Sequence, residues 1–193
     1  MLDDRVRAVL RRLEEETASE PSDAPRSARS LQIAPTSGAL LFALCAGRAG
    51  CEVLEIGGSR GYSTIWLGAA VRLHGGHVTS LEGEPAKLEA SGRNIGDAGL
   101  EEWIDVVAGD AFASLASLDG PYDVVFLDAW KDDYEALFEL ARARVEVGAV
   151  IVADNVVSHD ELAAYSTARQ DDPTLVSVTV PMDNGLEVAT VIG

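Results

Sequence analysis

Between Cys51 and Asp154 the sequence repeats one alternation: a short aliphatic and β-branched run, then a longer stretch with apolar residues at helical spacing. The runs "CEVLEI", "HVTSLE", "IDVVAG", "YDVVFLD" and "GAVIVAD" read as strands. The segments Tyr62 to Leu73, Pro85 to Gly96, Ala111 to Leu118 and Asp132 to Val145 read as helices. Strands that alternate with helices form right-handed βαβ units, which demand a parallel sheet covered on both faces. The expected fold is therefore α/β, with a Rossmann-like, mostly parallel sheet. The end of the chain breaks the alternation. There "LVSVTVP" and "LEVATVIG" flank the turn-forming Met182-Asp183-Asn184-Gly185, so an antiparallel hairpin should complete the sheet.

Ahead of the alternation, Leu2, Val6, Val9, Leu10 and Leu13 recur at helical spacing, giving an amphipathic helix that must dock on the domain or on a second subunit. Ser19 to Ser30, "SEPSDAPRSARS", is rich in Ser, Pro and charge without periodicity, and reads as an exposed connector. A second helix is expected from Thr36 to Gly47, with Thr36 or Ser37 as its cap.

Charge removes several functions. With 32 acidic against 15 basic side chains and a net charge of -17, the chain repels phosphate backbones, so no nucleic-acid partner is expected. The only basic cluster, Arg5, Arg7, Arg11 and Arg12, is interleaved with Asp3, Asp4 and Glu14 to Glu16 and reads as a solvated helix face. No apolar run approaches the roughly 20 residues of a membrane span, and the charged N-terminus is unlike a secretory leader, so a cytoplasmic protein is expected. Cys45 and Cys51 are expected as buried thiols. His74, His77 and His159 share no metal-ligand spacing and are expected as surface or loop residues.

The first strand-to-helix turn, "EIGGSRG", occupies the place where open parallel sheets bind ligands. Gly57 and Gly61 permit positive φ and close backbone approach, and the helix that follows aims free N–H groups at the ligand. Its pattern is G-G-x-x-G after an acidic Glu55, which suits a pyrophosphate poorly. S-adenosylmethionine, with an ammonium, a sulfonium and a ribose but no phosphate, suits it better. Glu82 ends the second strand, where a carboxylate's two oxygens match two ribose hydroxyls; the alternative is a surface strand end. At the third strand's end Gly109, Asp110 and Ala111 could frame an adenine edge.

The motifs "VLEIGGSRGYSTIWL", "SLEGEP", "AGDA", "VVFLDAWKDDY", "VADNV" and "DNGLEVA" resemble, in order and spacing, the cation-dependent O-methyltransferases, the group of catechol and caffeoyl-coenzyme A O-methyltransferases and their small bacterial relatives. The resemblance covers Leu31 to Gly193. It implies a seven-stranded class I methyltransferase domain over residues 31–193, preceded at 1–30 by the helix and connector, and a family that is often dimeric. By the same resemblance Glu55, Gly57, Gly61 and Ser63 would surround the methionine part of S-adenosylmethionine, Glu82 the ribose, and Asp110 with Ala111 the adenine. Gly58, Ser59, Tyr62, Gly83, Gly109 and Asp128 would complete the cofactor lining. For a homodimer, the first helix and the terminal hairpin offer surfaces.

Asp128 ends the fourth strand, and Asp154 with Asn155 ends the fifth, so three hard oxygen donors can converge at one edge. Such a set suits Mg²⁺, or Mn²⁺ or Ca²⁺ in its place, although aspartates there also serve as helix caps. Lys131 resembles the family's catalytic lysine; the bland alternative is a solvent-facing residue. Near a metal and partly desolvated, its pKa should fall so that it can take a phenolic proton, with Asp128 and Asn155 completing the catalytic group. The acceptor expected is an aromatic small molecule with vicinal hydroxyls. A metal-independent methyltransferase, a module that only binds S-adenosylmethionine, and a nicotinamide-dependent dehydrogenase are the alternatives. Trp130 is expected in the pocket wall, and Ile33, Pro35 and Thr36 near the substrate entrance. Two positions depart from the resemblance: Ala129 stands where catechol-methylating members carry a histidine, and Pro181 lies near where they place a carboxylate.

Overall fold

The structure, a computed structural model, describes every residue except Met1, Ser22, Ala24, Arg26, Ser27 and Ala28. The connector read at Ser19 to Ser30 lies in part outside the described residues. Seven strands form one sheet in the order β3-β2-β1-β4-β5-β7-β6. They are β1 (Glu52–Ile56), β2 (His77–Glu82), β3 (Ile104–Ala108), β4 (Tyr122–Leu127), β5 (Val145–Asp154), β6 (Leu175–Val180) and β7 (Leu186–Val191). The first five pair in parallel, and β7 is antiparallel to both β5 and β6. Strand order reverses between β1 and β4, which opens a crevice beyond their carboxyl ends.

The helices are α1 (Asp4–Ala18), α2 (Pro35–Ala46), α3 (Tyr62–Val71), α4 (Pro85–Ala98), α5 (Ala111–Ala116), α6 (Tyr134–Arg142) and α7 (Ala163–Asp171). Alternation along the strands assigns them to two layers. Val53, Val124, Phe126 and Val152 share a core with Leu10, Leu41, Ile65 and Ile95 of α1 to α4. Leu54, Val125, Leu127 and Ile151 share the other with Leu115, Phe138 and Tyr165 of α5 to α7. The expected doubly covered, mostly parallel sheet with a terminal hairpin is what the chain forms. Among the described residues, no helix is long and apolar enough to cross a membrane.

The apolar face of α1 docks on its own domain. Val6, Val9, Leu10 and Leu13 are buried in the first core, and the Arg5 guanidinium donates to the carbonyls of Gly96 and Asp97 at the end of α4, at 2.5 and 2.6 Å. A cation is favourable at that negative end of a helix. The α1 stripe is thus consumed within the chain and is unavailable to a partner subunit, whereas Val176 and Val178 of the hairpin stay exposed.

Four local expectations are corrected. α2 starts at Pro35, and its cap position, Ala34, makes no side-chain bond. Thr36 Oγ1 and Ser37 Oγ donate instead to Asp183 Oδ2, at 2.5 and 2.7 Å. Asp183, in the β6–β7 turn, thus brings a carboxylate from a distant segment to the start of α2, and these bonds hold its pKa below the usual carboxylate range. Asp183→Ala is therefore expected to cost about 1 kcal/mol at pH 7, the worth of a helix cap, or about 2–4 °C in Tm. Because the folded pKa is depressed, this contribution exists above the ordinary carboxylate pKa and is lost on acidification through the folded value, so melting curves of parent and variant should converge in acid.

The helix read at Asp132 to Val145 is a 3₁₀ turn over Lys131–Asp133 followed by α6, and β5 begins at Val145 rather than Gly148. α7 was not expected at all. Its inner face presents Tyr165, Ser166 and Arg169, of which only the first is apolar. Arg169 is buried by stacking 3.9 Å over the Phe138 ring and pairing with Glu135 at 2.7 Å. Cys45 and Cys51 are both buried and unpaired, as read.

Candidate active site

A cleft of about 520 Å³ opens beyond the carboxyl ends of the parallel strands, a size within the range of small-molecule sites. On the β1–β3 side it is lined by Gly57, Ser59, Glu82, Gly83, Gly109, Asp110 and Ala111, and on the β4–β5 side by Asp128, Lys131, Asp154 and Asn155. A small adjoining hollow is lined by Gly58, Tyr62 and Ser63 and shares Gly57, Ser59 and Asp128 with the cleft.

Gly57 has φ 100°, and a Cβ built on it would lie 2.1 Å from the backbone oxygen of Asp128. Only glycine lets the first turn press against the tip of β4, where Asp128 N–H donates to Ile56 O at 2.9 Å. Gly61, φ 88°, caps α3 in the left-handed conformation. Glu82 braces the turn: its Oε2 accepts from Ser59 N–H at 2.7 Å and its Oε1 from Glu84 N–H at 2.8 Å. Asp110 caps α5 by accepting from Ala113 N–H at 3.0 Å.

Of the sequence-predicted set, Glu55 and Gly61 line neither the cleft nor the hollow. Glu55 is completely buried behind the turn. Its Oε2 accepts from Thr64 Oγ1 and Ser80 Oγ, both at 2.5 Å, and its Oε1 has no partner. Burial pushes this carboxyl above the usual range.

The tips of β4 and β5 bring the second group together. Asp154 is 3% exposed. Burial, then the neighbouring charge of Asp128, pushes its carboxyl up to about 7. Asn155, at φ 68°, turns back so that its Nδ2 donates to Asp154 Oδ2 at 3.1 Å. Lys131 Nζ donates to Asp128 Oδ1 at 3.0 Å and to Tyr134 Oη at 2.7 Å. Two carboxylates thus face the cleft, and the Lys131 ammonium is bonded to one of them, Asp128. Among the described residues, no cluster of three or more His, Cys, Asp or Glu could hold a metal; the gathered donors are two carboxylates and an amide.

Three residues of the site escaped the sequence reading. Tyr134 lies three positions after Lys131 in "DAWKDDY", and the 3₁₀ turn eclipses side chains at that spacing. His159, expected only as a surface or loop residue, lies in the loop after β5 and lines the cleft, as does Asn184 of the β6–β7 turn. Backbone bonds from Val157 and Ser158 to Asn184 O, both 3.0 Å, carry that turn to the cleft. Trp130 also lines the cleft, with 60% of its surface exposed.

A sheet of this order, with an acid-braced glycine turn at its switch point, defines the Rossmann-like methyltransferases. The methyltransferase domain family matches residues 54–156. A catechol O-methyltransferase of Mycobacterium tuberculosis is 37% identical over 77% of the chain and 66% of its own length. One of Niastella koreensis is 34% identical over 80% of the chain and 67% of its own length. The chain therefore spans about two thirds of these relatives. The crystal structure of the O-methyltransferase TomG of Streptomyces achromogenes, involved in tomaymycin synthesis and in complex with S-adenosylmethionine, superposes with a TM-score of 0.80 at 26% identity, covering 99% of this chain and 91% of that one. The chain belongs to the methyltransferase domain family, within its small catechol O-methyltransferase-like group.

Proposed function

We propose that this chain transfers the methyl group of S-adenosylmethionine to one hydroxyl of a catechol-like small molecule, with a divalent cation held by Asp128, Asp154 and Asn155 and with Lys131 as base. The observation that carries the reading is the pair Asp128 and Asp154: two carboxylates on adjacent strand tips, one almost fully buried, with the Lys131 ammonium bonded to Asp128. Charges so placed call for a further cation, and the donors are the hard oxygens that Mg²⁺, Mn²⁺ or Ca²⁺ prefer. The cofactor is supported by the acidic brace of the turn, where Glu82 accepts from Ser59 and Glu84 N–H, and by the pairing of the turn's own cation, Arg60, with Glu20 at 3.0 Å.

S-adenosylmethionine, when bound, supplies an electrophilic methyl group. The cation, when bound, stabilises the acceptor's oxyanion and so lowers a phenol pKa from near 10. Glu82 offers its carboxylate to ribose hydroxyls while keeping Ser59 in place. Asp110 and Ala111 frame the adenine edge. Lys131 in its neutral amine form takes the hydroxyl proton on Nζ, becoming the ammonium that pairs with Asp128, and the cleft walls hold the acceptor in line for attack, which supplies much of the acceleration. A homodimer and a cytoplasmic setting belong to the same proposal, supported by the exposed Val176 and Val178 and by the unpaired buried thiols.

The test is a methyl-transfer assay on catechol-bearing acids, esters and flavonoids, run with Mg²⁺ and with EDTA. Turnover that EDTA abolishes and Mg²⁺ restores is expected. Turnover indifferent to chelation would mark a metal-independent methyltransferase. Binding of S-adenosylmethionine without turnover of any acceptor would mark a binding module.

A further inference from the structure

Tyr134 is 1% exposed, and its ring packs edge-on to Tyr165 at 5.6 Å between centroids. Packing alone would be met by phenylalanine, and a buried hydroxyl needs partners. Oη has three. It accepts from Lys131 Nζ at 2.7 Å, and it lies 3.1 Å from the carbonyl oxygen of Asp154 and 3.3 Å from that of Leu127. A phenol has one proton to give and lone pairs to receive, so the proton goes to a carbonyl and a lone pair to the lysine. Leu127 ends β4 and precedes Asp128, and Asp154 ends β5. One hydroxyl therefore ties the amine to both strand tips that carry the charged residues. Without it, Nζ would keep, among the described residues, the hydrogen bond to Asp128 Oδ1 at 3.0 Å and its place 4.7 Å from the ring of residue 134.

We propose that Tyr134 is the positioning residue of this site, fixing Lys131 Nζ relative to the tips of β4 and β5 without itself touching the substrate. The proposal deepens the methyl-transfer reading, on which its kinetic test rests; its spectroscopic test does not.

The chain has only two lysines, Lys87 and Lys131, so ¹⁵N-lysine labelling gives two side-chain signals. Lys87, paired with Glu84 at 3.3 Å, serves as the internal reference. In Tyr134→Phe the Lys131 ammonium is expected to gain mobility in NMR relaxation while Lys87 is unchanged; an unaltered Lys131 overturns the proposal. In the kinetic test, kcat is expected to fall by about tenfold or more, with both KM values within about twofold of the parent. A parental kcat, or a loss confined to KM, also overturns it. Should Tyr134→Phe fail to fold, the parent decides. A restrained Lys131 ammonium supports the tether, and one as mobile as an exposed lysine refutes it. A parent with a restrained Lys131 but no methyl transfer would remove the functional reading and leave the tether supported.

Discussion

Asp154→Asn is expected to abolish methyl transfer while making the metal-free chain more stable at neutral pH. The substitution keeps the shape of the side chain and removes its charge. If Asp154 holds the cation, turnover should fall by more than about a hundredfold, beyond the roughly 10–100-fold lost when only a ligand's outer partners are removed. Binding of S-adenosylmethionine, measured by calorimetry, should change little. Stability moves the other way. The folded carboxyl sits near 7 against 3.8 ordinarily, so the native state holds its proton more tightly than the unfolded chain does. That contribution is complete below pH 4 and disappears as pH rises through 7. The metal-free parent should weaken across that window and the variant should not. Above it the variant should be more stable by on the order of 4 kcal/mol, at about 1.4 kcal/mol per pH unit between the two pKa values, or roughly 8–16 °C in Tm. Retained turnover in Asp154→Asn would remove the metal from the mechanism.

Gly57→Ala is expected to be the most damaging change in the glycine turn. The new methyl group would meet backbone, 2.1 Å from Asp128 O and 2.9 Å from its carbonyl carbon, at a residue whose φ is 100°. Neither neighbour can rotate away. The tips of β1 and β4 must separate, breaking the Asp128–Ile56 bond and widening the spot where a cofactor would lie. A loss of about 2–4 kcal/mol in denaturant unfolding is expected from strain and clash together, with affinity for S-adenosylmethionine down by about a hundredfold. Gly75→Ala supplies the control: φ is 73° there, but nothing lies within 4 Å of the added carbon. It should show the cost of conformation alone and bind the cofactor normally. Equal affinities in the two variants would mean that the turn is not where the cofactor sits.

The fold was legible because buried strands announce themselves. "VLEI", "VVFL" and "VIVA" are predominantly apolar on both faces, and the first two are followed by turn residues and a helical period. α7 stayed hidden for the opposite reason. Its inner face buries Ser166, whose Oγ has no hydrogen-bond partner among the described residues, and Arg169, held by the Phe138 ring and the Glu135 carboxylate of α6, and no local pattern encodes such partners. The cap of α2 failed similarly, since Asp183 is 146 residues from Ser37. At the site, Asp128, Lys131, Asp154 and Asn155 could be read from their strand ends, and the structure brings them together. Tyr134 sat in a motif already singled out, yet its hydroxyl mattered only once the 3₁₀ turn aligned it with Lys131. His159 and Asn184 reach the cleft through pairing between two loops, which spacing along the chain does not reveal.

β7 follows β6 in the chain yet does not take the edge of the sheet. β7 lies between β5 and β6, so Asp154 is synthesised well before the neighbour that hydrogen-bonds its strand from Val150 to Asp154. Until Leu186 to Val191 emerge, the nascent chain carries an open β edge beside an acidic pocket only half walled. Maturation of the pocket therefore waits for β7, and chains stopped short of Leu186 would present to chaperones and proteases an unpaired strand rather than a walled pocket.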